Sequence, residues 1–409
     1  MVGNTYSYTS STWATQIALA KAQGIDAFVL NFGSPSWELD RMQDGYNAAA
    51  TAGFKMFLSF DMTSLTCTST ADANSISSTI VRWANHAAQL KDSNGAVYVG
   101  TFSGENCYFG QGDFATGWIQ AVKTGPRNSG VTTKFIPSFF PVNYHGAMFT
   151  SFMDGVFPWN NAWPMGNYDI SWSSDVSTLS SVDRTHGQVY MAPISPWFFT
   201  HYGQDTWNKN WIYRADDWMY STRWEQLITN RASVDLVQII TWNDYGESHY
   251  IGPIGQDQPN SNAWVDGFDH TAWSTISGYY IQAYKTGVAP TIIQDKIYMW
   301  ARPHGKSDNA PNDNYIGRPN NADWTDDYLW IVLFSTGSGT LQVTQGSSQA
   351  TWQVTAGVNK LKLASGVTSS GVTATLTRGS AQVFSYFAPI TFTHSPSTYN
   401  FNAFVFSGP

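Results

Sequence analysis

The sequence predicts an α/β fold: a (β/α)8 TIM barrel over residues 1–288, followed by a C-terminal antiparallel β-sandwich over 289–409. Two observations carry this. Up to about residue 290, short runs rich in Val, Ile and Phe alternate with longer amphipathic stretches, the pattern of a parallel sheet covered by helices. Beyond Pro290 the texture changes to strict apolar/polar alternation broken by Gly and Ser every eight to twelve residues, which reads as an antiparallel sandwich.

The strand-like runs are IDAFVLNFG (25–33), KMFLSFD (55–61), AVYVGTFSGE (96–105), KFIPSFF (134–140), GVFPWN (155–160), QVYMAPISPW (188–197) and VDLVQIITWND (234–244). Between them WATQIALAKAQG (13–24) and ISSTIVRWANHAAQL (76–90) carry apolar residues at helical spacing, and Gly24 is a stop signal. DDWMYSTRWEQLITN (216–230) precedes the last strand in the same way. A short strand at MVGNTY completes eight β-then-α units, as a (β/α)8 barrel requires. Residues 302–326, rich in Asn, Asp and Pro, read as a connector or long loop.

Charged residues are 12% of the chain, about half the roughly 25% usual in soluble proteins. With aromatics at 16%, the surface is one of hydroxyls, amides and rings, suited to neutral polymers such as polysaccharides. The net charge of −8 and the absence of a basic run exclude nucleic acid as a partner. No apolar run reaches the roughly 20 residues that span a bilayer. MVGNTYSYTS lacks the charged and apolar regions of a leader peptide. Two cysteines do not define a disulfide framework.

Barrel enzymes place their chemistry at the C-terminal ends of the strands. Here those ends carry Asn31, Asp61, Glu105, Asn143 with His145, Trp159 with Asn160, Trp197 with the nearby His201, and finally Trp242, Asn243, Asp244, Tyr245, Glu247 and His249. Carboxylates, amides and aromatics converging on one face suit glycoside hydrolysis. One carboxylic acid protonates the leaving oxygen and a second carboxylate activates water or attacks the sugar. Amides hold hydroxyls and rings form subsites. No nucleophile elbow and no phosphate-binding glycine loop is visible, and no cofactor is expected. His145, His201, His249 and Asp61 lack the spacing of a metal motif, so no metal is expected.

Structural readings stand beside these. Asp61 and Glu105 could cap following helices, Asp244 and Glu247 could be a turn and capping pair, and Trp159, Trp163 and Trp197 could be core. Cys67 and Cys107 lie past neighbouring strand ends and are either a disulfide or two buried thiols.

The blocks VGNTYSYT, AKAQGIDAFVLNFG, KMFLSFDMTS, FSGENCYFG, VFPWNNAWP, YMAPISPWFFTHYG and TWNDYGESHYIGPI resemble those of the fungal α-1,3-glucanases, or mutanases, of glycoside hydrolase family 71. The resemblance implies cleavage of α-1,3-glucan with inversion at the anomeric carbon, and three essential acids, at Asp61, Asp244 and Glu247. Glu247 is expected to be the general acid, its pKa raised by surrounding Trp and Tyr, and Asp244 the general base, with the reverse assignment left open. Inversion asks for carboxyls roughly 6.5–9.5 Å apart. Asp61 and Glu105 would then bind hydroxyls or tune the pair. Family members carry a longer first strand and residues before the point matching Met1, so the expectation is either a chain trimmed there or a truncated first strand. A monomer, secreted or wall-bound, is expected. The competing readings are a catalytically silent glucan-binding protein on the same scaffold and a hydrolase of another linkage.

Overall fold

Strands that end in candidate site residues run parallel, in sequence order. The computed structural model describes residues 1–140, 151–313, 315–365 and 368–409. It divides into two compact units, one formed by Met1–Ala162, Trp172–Ile194 and Thr229–Ile239, the other by Trp163–Ser171, Ser195–Ile228 and Ile240–Pro409.

In the first unit β1 (Ala27–Phe32), β2 (Lys55–Asp61), β3 (Val97–Phe102) and β4 (Thr133–Ser138) form a parallel sheet in the order β1-β2-β3-β4. Met56 through Phe60 and most of β3 and β4 are buried, which is why these runs read as continuously apolar. A second parallel group follows. β5 (Gly155–Val156) pairs with β6 (Val189–Ile194), and β6 pairs with β9 (Leu236–Ile239). Beside β5, the Phe157 amide donates to the Pro137 carbonyl of β4 at 3.1 Å, so the two groups are joined by a backbone hydrogen bond.

Local chemistry sets the helices between them. Thr9 and Thr12 cap the helix Ser10–Ala22 reciprocally, and Gly53, at φ 61°, ends the helix Trp37–Ala52. The helix expected over 76–90 lies instead at Thr70–Ala84. Ser69 and Asp72 form a capping box that fixes its start. The residues beyond it turn to β2, where Met56 donates to Ala88 and accepts from Leu90. The strand expected at MVGNTY is a single helical turn, Val2–Asn4. The Thr5 amide and hydroxyl both donate to the Val2 carbonyl, at 2.9 and 2.7 Å, closing the segment on itself instead of extending it. Cys67 and Cys107 are joined by a disulfide with Cα atoms 5.3 Å apart.

The second unit opens with a hairpin of β7 (Phe199–His201) and β8 (Asn210–Ile212). Its later part holds β10 (Lys296–Ala301), β11 (Tyr328–Ser335), β12 (Gly339–Gln345), β13 (Ser348–Val354), β14 (Gly357–Ala364), β15 (Val372–Arg378), β16 (Ala381–Ala388) and β17 (Phe404–Gly408). They form two antiparallel sheets, ordered β14-β11-β10-β17 and β13-β12-β15-β16. Alternate residues of both, among them Met299, Ile331, Leu341, Val343, Ala374 and Leu376, meet in one buried cluster. That period of two is the alternation visible in the sequence. Within residues 302–326 the only regular element among the described residues is a short turn, Ala322–Trp324.

Candidate active site

The acidic cluster sits on a segment that folds back on itself directly after β9. The Thr241 amide donates to the His249 carbonyl at 2.8 Å, Ile251 returns a bond to Thr241 at 3.0 Å, and Gly252 bonds Trp242 at 2.8 Å. Inside this loop Tyr245–Glu247 make one helical turn, and Ser248 reverses the chain at φ 59°. The Thr241 hydroxyl accepts the Asp244 amide at 2.8 Å and lies 3.1 Å from His249 Nδ1. Gly246 is required where it stands: a Cβ there would lie 1.9 Å from the Tyr202 hydroxyl. The Trp264 indole donates to the Gly246 carbonyl at 3.2 Å.

Each oxygen of Glu247 has its own nitrogen neighbour. Lys209 Nζ is 3.2 Å from Oε1 and His249 Nε2 is 3.0 Å from Oε2. His249 is fully buried and lies against the rings of Trp163 and Phe198. Burial alone would raise the Glu247 carboxyl. The hydrogen bond and charge of His249, followed by Lys209, outweigh it and hold the group at about 2. Asp244 goes the other way: burial, then the negative charge of Glu247, raise its pKa. Asp244, Glu247 and His249 can each present one ligand atom within 4.8 Å of the others. Two carboxyls this close separate their ionisations, and here burial and the charge of Glu247 push Asp244 up while His249 and Lys209 push Glu247 down. The expectation that neighbouring rings raise Glu247 is therefore corrected. His249 and Lys209 decide the matter, and neither was read as a partner of Glu247.

The structure places the other predicted residues of this unit as follows. Trp197 is buried, its indole donating to the Phe401 carbonyl at 2.9 Å and its face covered by Arg302 at 4.4 Å. His201 is buried between Asn210 and Asp313, at 2.8 Å each. Tyr245 is buried with its hydroxyl on the Pro253 carbonyl at 3.0 Å. Asn243 is buried, while Trp242 is partly exposed.

In the first unit Asp61 closes β2, half-buried, and accepts the Thr63 amide at 3.0 Å and hydroxyl at 2.6 Å. Asn31 accepts the Ser59 hydroxyl at 3.0 Å. Glu105 accepts the Ser103 hydroxyl and, at 3.2 Å, the Phe140 amide. Trp159 packs edge-on to Phe102 at 4.9 Å, and Trp159 and Asn160 are both partly exposed. Asn143 and His145 lie outside the described residues. Sequence reasoning passed over Glu38, a buried acid that accepts the Gly33 amide at 2.9 Å. Burial raises its pKa, and the charge of Asp61 adds to that. Its only sequence signal was an acid in the first turn of a helix that follows a strand end.

The whole chain, residues 1–409, matches the profile of Glycosyl hydrolase family 71. The chain belongs to that family. It is 38% identical over 408 residues to the glucan endo-1,3-alpha-glucosidase agn1 of Schizosaccharomyces pombe, covering 99% of this chain and 92% of that one. It is 35% identical over 374 residues to the ascus wall endo-1,3-alpha-glucanase of the same yeast, covering 88% and 83%. A mutanase of Penicillium rubens is 32% identical over 355 residues, covering 85% and 74%. Among solved structures, the GH99 endo-alpha-mannosidase from Bacteroides thetaiotaomicron superposes with a TM-score of 0.52 at 13% identity, over 70% of this chain and 82% of that one. That likeness concerns the fold alone. Like the strand order, it agrees with a mixed α/β architecture built on a parallel sheet.

Proposed function

We propose that this family 71 chain is an endo-acting hydrolase of α-1,3-glucan, the wall polymer named for its relatives, and that it acts outside the cell. The observation that carries the reaction is the close pair: Asp244 and Glu247 bring carboxyl oxygens within 4.8 Å in one turn, with Lys209 at 3.2 Å and His249 at 3.0 Å on Glu247 alone, and burial pushing Asp244 up. Hydrolysis of a glycoside needs a proton donor and an ionised carboxylate together at one pH. Asp244 is the proton donor to the leaving oxygen. Glu247, ionised and oriented through both oxygens, is the carboxylate that takes a proton from the attacking water. For Asp61 the family resemblance of the SFDMTS motif supports a separate role, binding a hydroxyl. Water then adds to the anomeric carbon, the glycosidic bond breaks, and the proton lost by water balances the one given to the departing chain.

The reading extends to the architecture. The parallel strands close into a (β/α)8 barrel ending near residue 288, and the two antiparallel sheets that follow form a sandwich over 289–409. Support for the barrel comes from the sequential parallel order, and for the sandwich from the single apolar cluster to which both sheets contribute.

Stereochemistry is inverting in this proposal, as the family resemblance implies. One observation favours a second reading. Ligand oxygens of Asp244 and Glu247 approach within 4.8 Å, closer than the roughly 6.5–9.5 Å of inverting pairs and nearer the roughly 5–5.5 Å of retaining ones. Incubation with insoluble α-1,3-glucan tests both, with product chains separated by length and the anomer read by proton NMR at early time. β-Anomeric oligosaccharides of mixed length support inversion and endo attack, and α-anomeric products establish retention. Binding without release would make the chain a glucan-binding protein.

A further inference from the structure

The hairpin of β7 and β8 carries, on its connecting loop, an exposed indole near the acidic cluster. Trp207 is 51% exposed. Large aromatic rings usually bury most of their area in a folded chain, so a half-exposed indole on a shaped loop asks for a ligand.

Its position is fixed by the loop rather than by chance. Thr206 and Asn208 both donate to the Gly203 carbonyl, at 3.1 and 3.0 Å, and the Tyr202 amide is bonded to Lys209. Asn208 adopts a left-handed conformation, φ 52°, to present the residue before it. One edge of the Trp207 contact is taken by Tyr202, with ring centroids 4.6 Å apart and planes at 66°. Tyr202 in turn packs on Trp264 at 4.8 Å, and its hydroxyl lies against Gly246, the residue before Glu247. From the far end of the same loop Lys209 reaches Glu247 Oε1 at 3.2 Å. Thus Trp207 is one ring removed from the turn that carries the proposed catalytic pair. It is also two residues from a side chain bonded to that pair. Tyr315, 68% exposed, lies against the same loop: a Cβ on Gly203 would come within 3.0 Å of its ring.

We propose that Trp207 is a sugar-stacking platform that holds a glucosyl unit of the substrate chain beside Glu247, with Tyr315 as an auxiliary ring on the same loop. The proposal rests on the glucan-hydrolase reading above and adds a binding residue to it. A glucosyl unit is neutral and presents a face of C–H groups, which the electron-rich face of an indole attracts. Lys209 is engaged by Glu247 at 3.2 Å, and the ring offers the apolar surface that the C–H face of a neutral sugar fits.

The test uses Trp207→Ala, Trp207→Tyr and Tyr315→Ala in the full chain. Kinetics are measured on soluble α-1,3-gluco-oligosaccharides, and binding to insoluble α-1,3-glucan in an Asp244→Asn background. Loss of a central aromatic anchor is expected to raise KM and weaken binding about tenfold, with kcat nearly unchanged. Trp207→Tyr should recover most of the loss, and Tyr315→Ala should show a smaller one. Unchanged KM and binding in Trp207→Ala overturn the proposal, as does a fall in kcat alone, which would mark a structural role. Should Trp207→Ala fail to fold, Trp207→Tyr and Tyr315→Ala carry the decision, and parent-like binding in both counts against the platform. Failure of the unsubstituted chain either to cleave or to bind the glucan is a separate result. It removes the substrate reading, and the platform with it.

Discussion

Replacing His249 by Phe tests the electrostatics of the candidate site directly. The ring stays between Trp163 and Phe198, and both nitrogens are lost. In the parent, Glu247 is lowered from 4.5 to about 2, a preference for the charged form of about 3 kcal/mol at roughly 1.4 kcal/mol per pKa unit. His249 supplies the two largest lowering contributions and Lys209 the rest, against a burial cost that remains. Without His249 the burial cost is opposed by Lys209 alone, so the carboxyl should titrate above its position in the parent. The sign follows from linkage. A depressed carboxyl contributes stability that is present above its unfolded pKa of about 4.5 and is lost as pH falls toward about 2. The acidic limb of kcat/KM reports the essential base of the free enzyme, so in His249→Phe it should move upward by about 1–3 pH units, the usual effect of losing a close favourable partner. Initial rates on soluble α-1,3-gluco-oligosaccharides across the acidic range measure this, with circular dichroism confirming the fold. A folded variant whose acidic limb stays with the parent's would refute the assignment of Glu247 as the group held ionised by His249.

Three further outcomes follow from the same geometry. Asp244→Asn and Glu247→Gln should each abolish turnover on α-1,3-glucan while leaving the circular dichroism spectrum intact, and near-parental activity in either sinks the pair. Gly246→Ala must displace the Tyr202 hydroxyl from a site 1.9 Å from the new Cβ. Overpacking of about 1–3 kcal/mol should appear as a lower melting temperature together with a loss of activity, since the displaced turn carries Glu247. Opening the disulfide with Cys67→Ser and Cys107→Ser frees a span of 40 residues. In the chain-entropy view this costs about 4 kcal/mol, to be read as an earlier urea midpoint.

The parts of the fold that could be read in advance are those where one residue property decides. Buried parallel strands such as KMFLSFD announce themselves because both faces are apolar. The sheets after Pro290 do so because one face is buried and period two results. Asp244 and Glu247 stood out as charges at the end of an apolar run. Their division of labour did not, because it depends on Lys209, 38 residues earlier, and on a hydrogen bond within the turn. Trp197 and His201 illustrate the opposite error. Both sit where a ligand-facing residue would be expected, and both are consumed by partners far along the chain, Phe401 and Asp313. Composition records that an aromatic is present, and only the tertiary contacts say which of its faces is left over. MVGNTY looked extended until Thr5 was seen to satisfy Val2 locally.

The loop from Thr241 to Gly252 is stitched by backbone bonds at both ends and in the middle. Solvent dipoles around a small acid in water must reorient each time charge moves. Around Glu247 the partners, Lys209 Nζ and His249 Nε2, are already in place before any sugar arrives, because folding alone positions them. A chain built this way should lose little heat capacity of activation to site ordering, and mutations that loosen the stitching, at Thr241 above all, should slow the reaction without touching a single group that meets the substrate.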